Sequence, residues 1–75
     1  MQTCKAGDNY KVVSFEEDIQ PSYRHKLMTM GMIPGATFKV CKVAPMGDPL
    51  LIEVKRFRLS IRKVELQAVI FEKVA

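Results

Sequence analysis

Two thiols, one imidazole and a set of methionines are the side chains of this sequence best suited to metal chemistry. Cys4, His25 and Cys41 offer ligand types that zinc or iron accept, and Lys5 and Lys42 place positive charge beside the thiols, which favours the thiolate. Metal sites, however, draw on grouped ligands at short spacings. Three scattered residues are explained as well by an exposed histidine and two reduced structural thiols. Met28, Met30, Met32 and Met46 carry thioethers suited to a soft cation such as Cu(I), whereas ferrous iron prefers harder ligands. Their plainer use is packing, because methionine fills irregular gaps and adapts at contact surfaces. No cofactor is expected.

Acid–base and nucleophilic chemistry have less to stand on. Glu16-Glu17-Asp18 precedes a helix start, where carboxylates favour the positive end of the helix dipole. No nucleophile, base and orienting group fall at a suggestive spacing, and the phosphate-binding pattern GxxxxGK[ST] is absent. The sequence therefore reads as a binding protein and not an enzyme. Arg56, Arg58, Arg62 and Lys63, supported by Lys55, form a basic set along one strand. It is either a solvated face or a stripe that pairs with carboxylates or phosphates.

The elements that must position these groups are short. Seventy-five residues make one domain (1–75), with 48% apolar residues and a formal charge of +4 from 12 Lys and Arg against 8 Asp and Glu. That bias permits an acidic partner without selecting one. No apolar run approaches the ~18 residues of a membrane span. The first residues lack the apolar core of a signal peptide, so a cytoplasmic protein with reduced cysteines is expected.

Lys11–Phe15 reads as a strand. Tyr23, Leu27 and Met30 then fall at i, i+4 and i+7, one stripe of a helix over Pro21–Met30, with Pro21 in its first turn and Gly31 at its left-handed end. The order Ile33-Pro34-Gly35-Ala36 fits a type II turn. Strands follow at Thr37–Val43, from Leu50 to Lys55 and over Phe57–Ile61, the last two joined tightly near Lys55-Arg56. Lys63–Ala68 suits one helical turn, and Val69–Val74 a closing strand. Five short antiparallel strands with one helix between the first and second predict a mainly β fold, a small SH3-like barrel.

Three segments carry a resemblance. Leu27-Met28-Thr29-Met30-Gly31-Met32-Ile33-Pro34-Gly35 follows the pattern L-x-x-[LM]-G-[LM]-x-P-G. Ala44-Pro45-Met46-Gly47-Asp48-Pro49-Leu50 follows A-P-[LM]-G-D-P-[LIV], and Arg58-Leu59-Ser60-Ile61-Arg62-Lys63 follows x-L-x-L-R-[KR]. In this order they resemble the ferrous-iron transport protein A (FeoA) family over nearly the whole chain. One departure stands out: many relatives have a glycine in the hairpin where this chain has Lys55-Arg56-Phe57.

The resemblance implies a cytosolic accessory protein of bacterial ferrous-iron uptake. Its partner would be the cytosolic GTPase region of the membrane permease FeoB, and it would sit at the inner membrane only through that partner. A third small subunit of the same system is a further candidate. On this reading Leu27, Met28 and Met32 form an exposed apolar helix edge. Met46, Asp48 and Pro49 add a contact loop, and Arg56 and Arg58 add charge complementarity. Two alternatives come from other classes. One is a metal sensor or metallochaperone using Cys4, His25 and Cys41. The other is a small RNA-binding barrel, disfavoured because Phe57 is the only aromatic among the basic residues, so no nucleic acid is expected. Recognition of proline-rich peptides is disfavoured too, since Tyr10 and Tyr23 are the only residues of their kind and tryptophan is absent.

Overall fold

Alternation builds the sheet. In the computed structural model, which describes residues 4–55 and 57–74, strand β1 (Asn9–Phe15) buries Tyr10 and Val12. In the same way β2 (Thr37–Val43) buries Phe38 and Val40, and β3 (Leu50–Val54) buries Leu50, Ile52 and Val54. Every second side chain points inward, as a pleated strand requires. β4 (Phe57–Ile61) and β5 (Val69–Val74) complete one antiparallel sheet in the order β4-β3-β2-β1-β5. This is the expected SH3-like arrangement of five strands. The two outer strands, β4 and β5, are not paired with each other; the short helix α2 (Lys63–Leu66) connects them and buries Leu66 in the shared core.

Two irregularities bend the sheet round that core. The register of β2 on β3 slips between Val40 and Lys42, and that of β1 on β5 slips between Val12 and Ser14. Each slip inserts one extra residue in one strand, which kinks it and increases its twist. β3 and β4, by contrast, pair without interruption from Leu50↔Ile61 to Val54↔Phe57. The core is wholly apolar among its buried side chains, and Tyr10, Phe38 and Phe71 meet at centroid distances of 5.4–5.7 Å. The Tyr10 hydroxyl escapes burial without a partner by accepting from the Lys5 backbone N–H at 3.0 Å.

Helix α1 (Pro21–Thr29) lies where the periodicity places it. Pro21 occupies its first turn, but Gln20 at the N-cap makes no side-chain capping bond. At the other end the Thr29 hydroxyl donates to the Lys26 carbonyl at 2.7 Å, and backbone bonds close the turn. Gly31, at φ 92°, donates to the Met28 carbonyl at 3.0 Å, and Met32 donates to the Leu27 carbonyl at 3.0 Å. These two bonds are the Schellman arrangement, which requires a left-handed residue and folds the following side chain back onto the last helical turn. A Cβ on residue 31 would lie 3.0 Å from Cγ1 of Val54, so the glycine also lets the helix end settle against β3. The Ile33–Ala36 turn is as the sequence predicts: Gly35 has φ 91°, and Ala36 N–H donates to the Ile33 carbonyl at 2.9 Å.

Candidate functional site

The Schellman turn corrects the expected docking edge. Leu27 and Met32 are both fully buried, not exposed, because the turn carries Met32 back into the core that Leu27 already enters. Leu27 is the only buried residue of α1. Met28, its neighbour, is 39% exposed.

The expected contact loop and the helix edge also lie apart. The Met46–Pro49 loop meets β3 at Leu50, whereas the end of α1 meets it at Val54. At ~3.4 Å per residue, about 14 Å of strand separates them. Met46 is 92% exposed at the loop tip. Asp48 is occupied structurally: its Oδ1 accepts from the Lys63 backbone N–H at 2.8 Å and caps the start of α2. Pro49 is exposed and follows a cis peptide bond. Arg56 lies outside the described residues.

What gathers around Met28 instead is a groove of ≈ 550 Å³ between the end of α1 and the β3–β4 hairpin. Gly31 and Val54 belong to its lining; Met28, Met30 and Ile33 flank it on the helix side, and Phe57 and Leu59 on the hairpin side. Phe57 is 68% exposed. Its inward direction follows from strict alternation with Leu59 and Ile61, each opposite a buried residue of β3. At the hairpin, however, the core has ended, so the ring faces a trough. Among the described residues Lys55 and Arg58 are the charged members of the lining, with no carboxylate beside them. Arg58 is held from outside by Glu53, Nε to Oε2 at 3.3 Å, an exposed pair worth little in water. Exposed apolar side chains rimmed by cations form a surface suited to an acidic, apolar ligand.

Sequence reasoning placed Met28 and Arg58 here and missed Phe57, Ile33, Met30 and Leu59. The alternation of Phe57 with Leu59 and Ile61 carried a signal. A large ring at the last inward position of a strand, beside a hairpin, sits where a short sheet can leave it uncovered.

The metal-ligand candidates are not assembled. Among the described residues no group of three or more His, Cys, Asp or Glu is placed to hold a metal ion. Cys4 is half-buried beside Tyr10, and burial raises its thiol pKa above the usual range, partly offset by a hydrogen bond with Tyr10 and reinforced by the charge of Asp8. His25 is exposed on α1, and Cys41 sits at the β2 slip. Arg24 is engaged over the Phe15 ring, 5.7 Å from its centroid. Tyr10 is buried with Phe38 and Phe71, so its ring is not offered to a proline-rich peptide. No helix among the described residues is long and apolar enough to cross a membrane.

A family model described as "FeoA domain" matches residues 1–73. A crystal structure of an iron uptake regulatory protein (FeoA) is 34% identical, with a TM-score of 0.81, over 95% of this chain and 89% of that one. The solution structure of FeoA from Chlorobium tepidum is 33% identical, with a TM-score of 0.82, over 96% of this chain and 67% of that one. FeoA of Stenotrophomonas maltophilia, solved with zinc and described as a prokaryotic SH3 domain protein, shares the fold at 21% identity. Its TM-score is 0.78, over 93% of this chain and 85% of that one.

Proposed function

This chain belongs to the FeoA family and has a role in ferrous-iron transport, and from that premise we propose that it docks in the cytoplasm on the GTP-hydrolysing region of the permease FeoB. The contact is the groove between α1 and the β3–β4 hairpin. One observation carries this reading: Phe57, Met28 and Ile33 are exposed together on one trough whose charges, among the described residues, are the cations Lys55 and Arg58. An apolar centre with charged edges is the anatomy of a protein interface, the aromatic supplying most of the affinity and the charges the approach and register. The chain works in this role as an accessory protein that acts by association. It is held at the membrane by the permease.

Titration calorimetry with the soluble cytosolic region of the permease tests the proposal. Phe57→Ser removes the exposed ring without disturbing a buried side chain, so circular dichroism and Tm stay near wild type. The affinity falls by about thirtyfold, the effect of losing one interfacial anchor. Wild-type affinity in both Phe57→Ser and Met28→Ser would remove the groove from the interface.

A further inference from the structure

The groove has a feature that apolar burial alone does not use. Its hairpin wall, β4, is an outer strand of the sheet, paired on one side only. Val54 and Phe57 flank a two-residue connection and are therefore a hydrogen-bonded pair. Alternation along an antiparallel ladder then turns the N–H and C=O groups of Phe57, Leu59 and Ile61 toward β3, and those of Arg58 and Ser60 away from it. No other bond to the outward groups is found among the described residues. Sheets usually blunt such an edge with a bulge, a proline or a covering element. β4 has neither bulge nor proline, and its register on β3 is unbroken.

We infer that the groove takes an extended, carboxylate-bearing segment of the partner, which adds to the free edge of β4 as a further strand and lays alternate apolar side chains beside Phe57 and Leu59. This rests on the docking reading above and specifies how the contact is made. Charge decides the occupant. Lys55 and Arg58 border the trough without a lining carboxylate, and the chain as a whole carries +4. A second copy of this chain would bring the same cations against each other across the paired edges, which is unfavourable directly opposite in a sheet. An acidic strand meets Lys55 at the hairpin and competes with Glu53 for the exposed Arg58.

Two measurements with the permease's soluble cytosolic region test this. Ser60→Pro removes an outward N–H and no ladder bond, a substitution that edge strands accept, and leaves Phe57, Arg58 and Lys55 in place. Its affinity is expected to fall tenfold or more. In wild-type protein, amide exchange at Arg58 and Ser60 slows on complex formation, and this second readout holds even if Ser60→Pro folds poorly. Lys55→Glu weakens binding by roughly tenfold at low salt, and less at high salt. Unslowed exchange at Arg58 and Ser60 in a complex that Phe57→Ser still abolishes would overturn strand addition and leave the docking surface standing. Absence of any binding by the wild type would remove both. Self-association of the free chain, seen by sedimentation and lost in Ser60→Pro, would show a second copy as the occupant and overturn the acidic one.

Discussion

The two ends of strand β3 are built by opposite rules. At the Leu50 end, polar groups tie separate elements together: Asp48 caps Lys63, Glu65 accepts from the Arg62 backbone at 3.0 Å, and Lys26 of α1 reaches Glu65 at 3.0 Å. At the Val54 end the side-chain bonds among the described residues are the exposed Arg58–Glu53 pair and the Thr29 hydroxyl on the Lys26 carbonyl, neither of which joins α1 to the hairpin, and Met28, Ile33 and Phe57 are left exposed. A groove of ≈ 590 Å³ also lies against α2 and β5, slightly larger than the one at the hairpin, but Glu16 and Lys63 give it mixed charge. Size therefore does not distinguish the two troughs. Both border an outer strand, β4 or β5, so an open edge does not distinguish them either; uniform charge among the described residues and the widely exposed Phe57 ring do. One end uses its polar groups to hold the fold, and the other exposes the apolar surface on which the proposed docking rests.

The sharpest way to probe this contrast uses adjacent residues of one helix. Leu27→Ala opens a cavity where α1 enters the core and is expected to cost about 2–5 kcal/mol, enough to leave so small a domain marginal. Met28→Ala, one position on, is expected to leave stability within about 0.5 kcal/mol and to act on permease binding instead. Urea unfolding of both variants checks the difference. Comparable losses would mean that the groove is part of the core.

Gly31→Ala comes next in size. It places a side chain at φ 92° and a Cβ 3.0 Å from Val54. The backbone strain and the contact together should remove about 2 kcal/mol, on the order of 10 °C in Tm. Because the same residue belongs to the groove lining, binding should weaken with it, unlike any change at the Asp48 corner.

The polar end yields a smaller effect with a pH signature. The Arg62 backbone N–H chiefly, with the Lys26 ammonium, holds the Glu65 carboxyl below its ordinary pKa. A carboxylate depressed in the folded state stabilises it above the unfolded value of about 4.3, and that contribution disappears as pH falls through the folded pKa. Glu65→Gln is therefore expected to cost about 1 kcal/mol at pH 7 and to flatten the acid limb of the stability curve below pH ~4.3. Unchanged permease affinity at pH 7 would confirm that this corner only supports the fold.

How far the sequence could foresee these two ends follows from the range of the forces involved. Strand alternation, the Tyr23–Leu27–Met30 stripe and the Pro34-Gly35 turn are local, and each lies in the structure where its residues predict. Met32 misled because its position depends on Gly31 reversing the chain, so a residue that continues the helical spacing ends beneath the helix. Asp48 resembled a contact residue because its partner, the Lys63 amide, is fifteen residues away. The distance between Met28 and the Met46–Pro49 loop is set by the length of β3, which no motif records. Phe57 could be assigned an inward direction from alternation, but only the sheet shows that nothing lies above it. Local chemistry was legible. Coverage and adjacency, which arise from tertiary packing, were not.

The smallest predicted change in stability has the opposite sign, and it addresses why the hairpin differs from the glycine-bearing version. Lys55 sits at φ 55°, in the left-handed region. An L side chain there costs roughly 1–2 kcal/mol, whereas glycine adopts it freely but has more freedom to lose from the unfolded chain. Lys55→Gly should thus stabilise the protein by about 0.5 kcal/mol, visible as a higher denaturant midpoint at constant m. Association with the permease's cytosolic region should slow by a few fold at low salt, since a rim cation is lost while the apolar trough is kept. A gain in stability joined to slower binding would mean that this end of β3 holds a strained residue for its charge. If Lys55→Gly instead destabilises the fold, the lysine contributes contacts at the hairpin that outweigh its backbone strain, and the division of labour between the two ends is less complete than their geometry indicates.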